Sequence, residues 1–166
     1  MIRLSIATPD DMARLGGRIA VQLRAGDIVA LTGELGAGKT TLARGLGEAL
    51  GVRGTVTSPT FVLARTHPRE GAAPLVHVDA YRLANAAELD DLDIDFPGSI
   101  VVIEWAAGML DGISDSMLEI SIVRPTGART APDRGEPDHG EPDHGIEARE
   151  VTITPIGPRW AEHPFL

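Results

Sequence analysis

Gly33-Glu34-Leu35-Gly36-Ala37-Gly38-Lys39-Thr40 has the pattern G-x-x-x-x-G-K-T, the signature of a loop that cradles phosphate groups. Its flanks supply the context this motif requires. The apolar residues Ile28, Val29, Ala30 and Leu31 read as a strand leading in, and residues 41–50 read as a helix leading out. Gly36 and Gly38 allow a backbone path and a close approach that side chains would block. Main-chain N–H groups from Glu34, Leu35, Gly36, Ala37, Gly38, Lys39, Thr40 and Thr41 can then converge on phosphate oxygens at the positive end of a helix. Lys39 brings a mobile charge to the β- and γ-phosphates, and the Thr40 hydroxyl can ligate Mg²⁺.

Lys39 is the only lysine in a chain with 15 Lys and Arg residues. A sequence that otherwise uses arginine keeps a compact ammonium where a planar guanidinium is no substitute. The 166 residues suffice for a single domain with its own core, and 43% are hydrophobic. No apolar run reaches the ~18 residues of a membrane span, so no membrane association is expected. The first residues lack the apolar region of a signal peptide, and there is no cysteine; both suit a cytoplasmic protein. The net charge of −9 argues against unaided binding to a nucleic-acid backbone and favours a basic partner surface.

Residues 2–6 read as a strand. Thr8-Pro9-Asp10-Asp11 reads as a helix start, with Thr8 as N-cap and Asp11 at the capping-box position. Met12, Leu15, Ile19 and Leu23 form its buried stripe, and Ala25-Gly26-Asp27 ends it. Gly51 is the expected C-cap of the helix after the loop. Thr57-Ser58-Pro59-Thr60 reads as a polar turn feeding a strand over Phe61-Val62-Leu63-Ala64, and residues 66–73 as a loop. Leu75-Val76-His77-Val78 is a strand ending on Asp79, where an open α/β sheet binds ligands. His77 reads as a packed histidine, because it lacks metal-binding companions. Residues 88–96 carry five carboxylates, with Leu89, Leu92 and Phe96 at helical spacing, and read as a solvated helix face. Ile100-Val101-Val102-Ile103 is a central parallel strand, and Glu104 just past it stands where P-loop proteins place a Mg²⁺ carboxylate.

The last third changes character. Residues 117–123 and 150–154 alternate apolar and polar, as an antiparallel pair with one wet face. Between them, residues 125–148 hold four Gly, four Pro and six acids against two Arg, with a tandem Gly-Glu-Pro-Asp-His pentad. Such a stretch buries too little apolar area to offset its ordering entropy, so it is expected to be a disordered acidic insertion within a hairpin. Metal binding by His139 and His144 is disfavoured by the same ordering cost.

Taken in order, GELGAGKTT (33–41), SPTF (58–61), HVDAYRL (77–83), an acidic EL-x-DL segment and IEW (103–105) resemble the TsaE family, formerly YjeE. The resemblance covers roughly residues 8–123. It implies an α/β P-loop NTPase domain with a mixed, mostly parallel central sheet and a C-terminal antiparallel hairpin. It also implies a small Mg²⁺-dependent ATPase required for threonylcarbamoyl modification of tRNA adenosine 37. Such a protein acts with the TsaB–TsaD complex, drives that complex's turnover, and meets tRNA only through it. Residue by residue, Lys39 and the loop amides would bind ATP, with Thr40 and Glu104 on Mg²⁺. Thr60 would be a switch hydroxyl, Asp79 would orient the attacking water or hold the switch, and Trp105 would contact partner or nucleotide. The chain departs from the family pattern at Asp93, where members often have Gly, and in the length and acidity of its insertion.

Catalysis on such a site is by positioning and electrostatics. No arginine finger is identifiable in cis, Arg82 being only the nearest arginine in sequence, so activity is expected to be weak alone and stimulated by a partner. Two other readings use the same loop. A small-molecule kinase would need an arginine-bearing lid, yet no arginine occurs between Arg82 and Arg124. A nucleotide-sensing adaptor would bind ATP without significant hydrolysis.

Overall fold

With no polar side chain to offer either face, residues 100–103 are driven into the middle of a sheet. The computed structural model describes residues 1–59, 61–106, 108–110, 112–125 and 148–161. In it, β5 (Ile100–Glu104) is buried along its whole length. It lies between β2 (Ile28–Gly33) and β4 (Ala72–Asp79), parallel to both. On the other side of β2, also parallel, is β6 (Met117–Val123), which pairs antiparallel with β7 (Arg149–Ile156). The edges are β1 (Ile2–Ile6), antiparallel to β7, and β3 (Ala64–Arg69), antiparallel to β4. The resulting order is β1-β7-β6-β2-β5-β4-β3, a mixed sheet with a parallel centre, as expected. The alternation in β6 buries Leu118, Ile120 and Ile122 and leaves Glu119 exposed.

Both long helices pack on one face of the sheet. Helix α1 (Pro9–Ala20) starts as its sequence predicts, with Thr8 Oγ1 accepting the Asp11 N–H. It buries Met12, Leu15 and Ile19. It ends earlier than expected, at cap residue Val21, so Leu23 packs on the core from beyond the helix. Helix α2 (Lys39–Leu50) closes at Gly51. The two helices cross at glycines. A Cβ at Gly45 would collide with the Ala13 backbone, and one at Gly16 with the Leu42 carbonyl. Gly45→Ala is therefore expected to destabilise the chain by about 1–3 kcal/mol through overpacking. That outweighs the gain of about 1 kcal/mol in helix propensity. Urea unfolding checks it, and an unchanged midpoint would contradict the close crossing.

The opposite face carries a second core of Val76, Val78, Val101 and Ile103, covered by loops and short turns. Two expectations are corrected here. The strand expected over residues 61–64 starts only at Ala64, and the expected loop at 66–73 is most of a hairpin. Polar residues and Pro68 disguise β3, which is tolerable because it is an edge strand whose register shifts between His67 and Arg69. The acidic helix is only α3 (Ala86–Asp90), capped by the Asn85 side chain. Beyond it the aspartates favour turns over helix. Asp93 sits at φ 51°, a conformation that suits Gly and that Asp tolerates, and Asp95 accepts the Gly98 N–H. Leu89 is buried, and Leu92 and Phe96 still anchor the segment to the second core. The short α4 (Pro158–Ala161) is tied beside the start of β2, where Arg159 Nε donates to Asp27 Oδ1 over 3.0 Å. Of the acidic insertion, residues 126–147 lie outside the described residues, and His139 and His144 with them.

Candidate functional site

Parallel strands bring their carboxyl ends to the same edge of a sheet, and the loops that follow build the site there. β2 delivers the glycine-rich loop, β4 delivers Asp79 and β5 delivers Glu104 and Trp105. Asp79 and Glu104 are register partners, so both carboxylates project to the face that α2 covers. Both are buried.

Gly38, at φ 118°, turns the chain from the loop into α2. No side chain caps that helix start, so its first N–H groups face the loop's concavity, an arrangement suited to an anion. Lys39 folds back along the loop. Its Nζ donates to the carbonyls of Gly33 and Glu34, at 2.8 and 3.0 Å, and lies 3.8 Å from the centre of the Trp105 ring. Trp105 holds this position with a left-handed backbone, φ 64°, and its ring meets that of Tyr81 at 5.1 Å. For a bulky residue such a φ is an outlier of the kind that collects at functional sites.

Thr40 Oγ1 donates to Glu104 Oε1 over 3.0 Å, with Oε2 at 3.4 Å. Glu104 Oε1 is also 2.8 Å from Nε2 of His77. The hydroxyl and the carboxylate are hard oxygen donors on one spot. Mg²⁺ takes one or two such protein ligands and completes its shell with phosphate and water. The pair therefore fits Mg²⁺, although no group of three or more His, Cys, Asp or Glu gathers among the described residues. Asp79 spends one oxygen locally, accepting the Tyr81 N–H at the start of a single 3-10 turn.

These groups surround one cavity of about 550 Å³. Its walls include Leu35, Gly36, Gly38, Lys39, Thr40, Thr41, Asp79, Glu104 and Trp105, all singled out in the sequence. Ala37 is packed into the core instead, and Glu34 contributes the carbonyl that holds Lys39. Thr60 lies outside the described residues; its neighbour Ser58 lines the cavity. Arg82 is not on the cavity wall; its guanidinium lies 5.1 Å from the Phe61 ring. Sequence reading missed Tyr81 as a wall and His77 as the partner of Glu104. The signal for His77 was present, since it lies two residues before Asp79 and so on the same strand face.

Burial lowers the Lys39 pKa from its usual value, and Glu104 and Asp79 only partly offset this. The unfolded chain thus binds more protons than the folded one between the lowered folded pKa and the ordinary 10.5. Stability from this residue is therefore expected to rise with pH across that window. Subtracting the urea stability profile of Lys39→Met from that of the parent isolates the effect, because no other lysine titrates. A difference that falls with pH there would contradict the buried ammonium.

Comparison with known proteins places the chain in a family. The family model for the threonylcarbamoyl adenosine biosynthesis protein TsaE matches residues 6–131. A tRNA threonylcarbamoyladenosine biosynthesis protein TsaE of Streptomyces coelicolor is 51% identical over 90% of this chain and 94% of its own. One of Mycobacterium tuberculosis is 46% identical over 73% of this chain and 78% of its own. One of Bacillus subtilis is 32% identical over 92% and 84%. Among solved structures, Bacillus subtilis YdiB matches with a TM-score of 0.69 at 28% identity, over 96% of this chain and 88% of its own. With the family model spanning residues 6–131 and a relative 51% identical over 90% of this chain, the chain belongs to the TsaE family.

Proposed function

We propose that the chain is a Mg²⁺-dependent ATPase that serves threonylcarbamoyl modification of tRNA adenosine 37, acting with TsaB- and TsaD-type proteins. The observation that carries this reading is the gathering of Lys39, Thr40, Asp79 and Glu104 around one cavity at the carboxyl ends of three parallel strands. In this reading the loop amides and Lys39 bind the β- and γ-phosphates, and Thr40 and Glu104 hold Mg²⁺. When bound, the cation offsets charge on the phosphate oxygens. The other oxygen of Asp79 orients the attacking water, assisted by Thr60. Trp105 shields Lys39 and meets the nucleotide or the partner.

Two features favour partner-dependent turnover. Among the described residues no arginine lines the cavity, so the charge of a transferring phosphoryl group lacks there a donor that activated NTPases use. Leu35 and Tyr81 on the cavity wall are exposed, as are Phe61 and Val62 in the segment that follows Ser58, apolar surface that a docking protein would cover. tRNA would be met through that complex, in keeping with the net charge of −9. No described helix is long and apolar enough to cross a membrane, and the cytoplasm is the proposed compartment.

The test is capture of purified TsaB and TsaD proteins by this chain, with and without Mg·ATP, together with phosphate release. Nucleotide-dependent association with stimulated release supports the reading. Association without release would make the chain a nucleotide-sensing adaptor. Fast ATP consumption only with a small acceptor would make it a kinase.

A further inference from the structure

Glu104 must present a particular carboxylate oxygen toward Thr40, and its side chain alone does not decide which. Two torsions and a freely rotating carboxylate end separate it from the rigid strand. The structure supplies the missing constraint from the neighbouring strand. His77 projects from β4 on the same face as Asp79, and its Nε2 lies 2.8 Å from Glu104 Oε1. The imidazole is fully buried. Its Nδ1 finds no hydrogen-bond partner among the described residues. The whole polar capacity of this buried ring is therefore directed at one oxygen of one carboxylate. An isolated buried polar side chain with a single partner is an expensive feature in a strand whose neighbours are Val76 and Val78.

We infer that His77 is a positioning residue for the Mg²⁺ site: by donating Nε2–H to Glu104 it fixes that carboxylate in the orientation that a cation beside Thr40 requires. This deepens the proposed function and rests on its assignment of Glu104 to Mg²⁺. With the carboxylate as acceptor, the ring proton resides on Nε2, and the lone pair on Nδ1 is the cheaper atom to leave unpaired. Thr40 and His77 then approach Glu104 from two elements, α2 and β4, leaving the carboxylate little freedom. Hydrogen bonds of this outer kind typically change metal affinity by about 10–100-fold.

The test compares two near-isosteric exchanges that differ in donor capacity. His77→Gln keeps an N–H near the position of Nε2, whereas His77→Met removes it. A fluorescent ATP analogue is titrated onto the full chain without Mg²⁺, and Mg²⁺ is then titrated in. Both variants are expected to bind the analogue like the parent in the absence of Mg²⁺. The Mg²⁺ midpoint should rise about 10–100-fold in His77→Met and stay close to the parent value in His77→Gln. An unchanged midpoint in His77→Met, or equal shifts in both, would overturn the inference. A parent chain that ignores the analogue altogether would instead overturn the functional reading beneath it. If His77→Met does not fold, the ¹⁵N spectrum of the parent's imidazoles decides, with His77→Gln identifying the signal. A proton on Nε2 is expected, and one on Nδ1 would sink the proposal.

Discussion

Lys39→Ala is expected to lower ATP affinity by about 100-fold or more while leaving the fold intact. A charge-assisted hydrogen bond is worth about 1.5–3 kcal/mol, and two lost to the β- and γ-phosphates amount to roughly 3–6 kcal/mol. Little is left to compensate, because the chain contains no second lysine and no arginine lines the cavity among the described residues. Lys39→Arg should fail almost as badly. The ammonium fits between the Gly33 and Glu34 carbonyls and the Trp105 ring, at 2.8, 3.0 and 3.8 Å, a space shaped for a compact head group. A planar guanidinium there must displace either the ring or the loop. Isothermal calorimetry with ATP, accompanied by circular dichroism, measures both variants. Affinities within a few-fold of the parent would remove Lys39 from the phosphate site.

Asp79→Asn should separate binding from turnover. The asparagine oxygen can still accept the Tyr81 N–H, which Asp79 holds at 3.1 Å, so the 3-10 turn and the cavity wall survive. What disappears is a negative charge beside Lys39 and the acceptor proposed for the attacking water. Positioned proton acceptors contribute about 10²–10⁴-fold, and kcat measured with the partner proteins is expected to fall by that order. ATP affinity should change little. Should the variant lose ATP binding instead, Asp79 holds the nucleotide rather than the water, and the proposed division of labour between Asp79 and Glu104 is wrong.

Much of this was legible in the chain itself. The glycine-rich loop, the apolar runs at 28–31 and 100–103, and the alternation of 117–123 all carry periodicities that local physics enforces, and each became the expected element. The Thr8 cap and the Gly51 stop were equally local. Elements whose stability comes from neighbours were not. Residues 64–69 are polar and include a proline, so nothing in their composition marks a strand; β4 supplies the ladder that makes them one. The acidic stretch after residue 90 has apolar residues at helical spacing, yet aspartate turn chemistry overrode that spacing.

The same division holds within the site. By itself, the sequence determined which chemical groups are present: one lysine in a phosphate loop, a threonine beside it, and a carboxylate at the end of each of two strands. Local backbone geometry and strand periodicity suffice for that. Only the tertiary structure decided how they meet. Trp105 covers Lys39, Tyr81 closes the wall, and His77 reaches Glu104 across two strands 27 residues apart in sequence. Those contacts follow from the register between β4 and β5, which is set by burying both strands in one sheet and which no local pattern encodes.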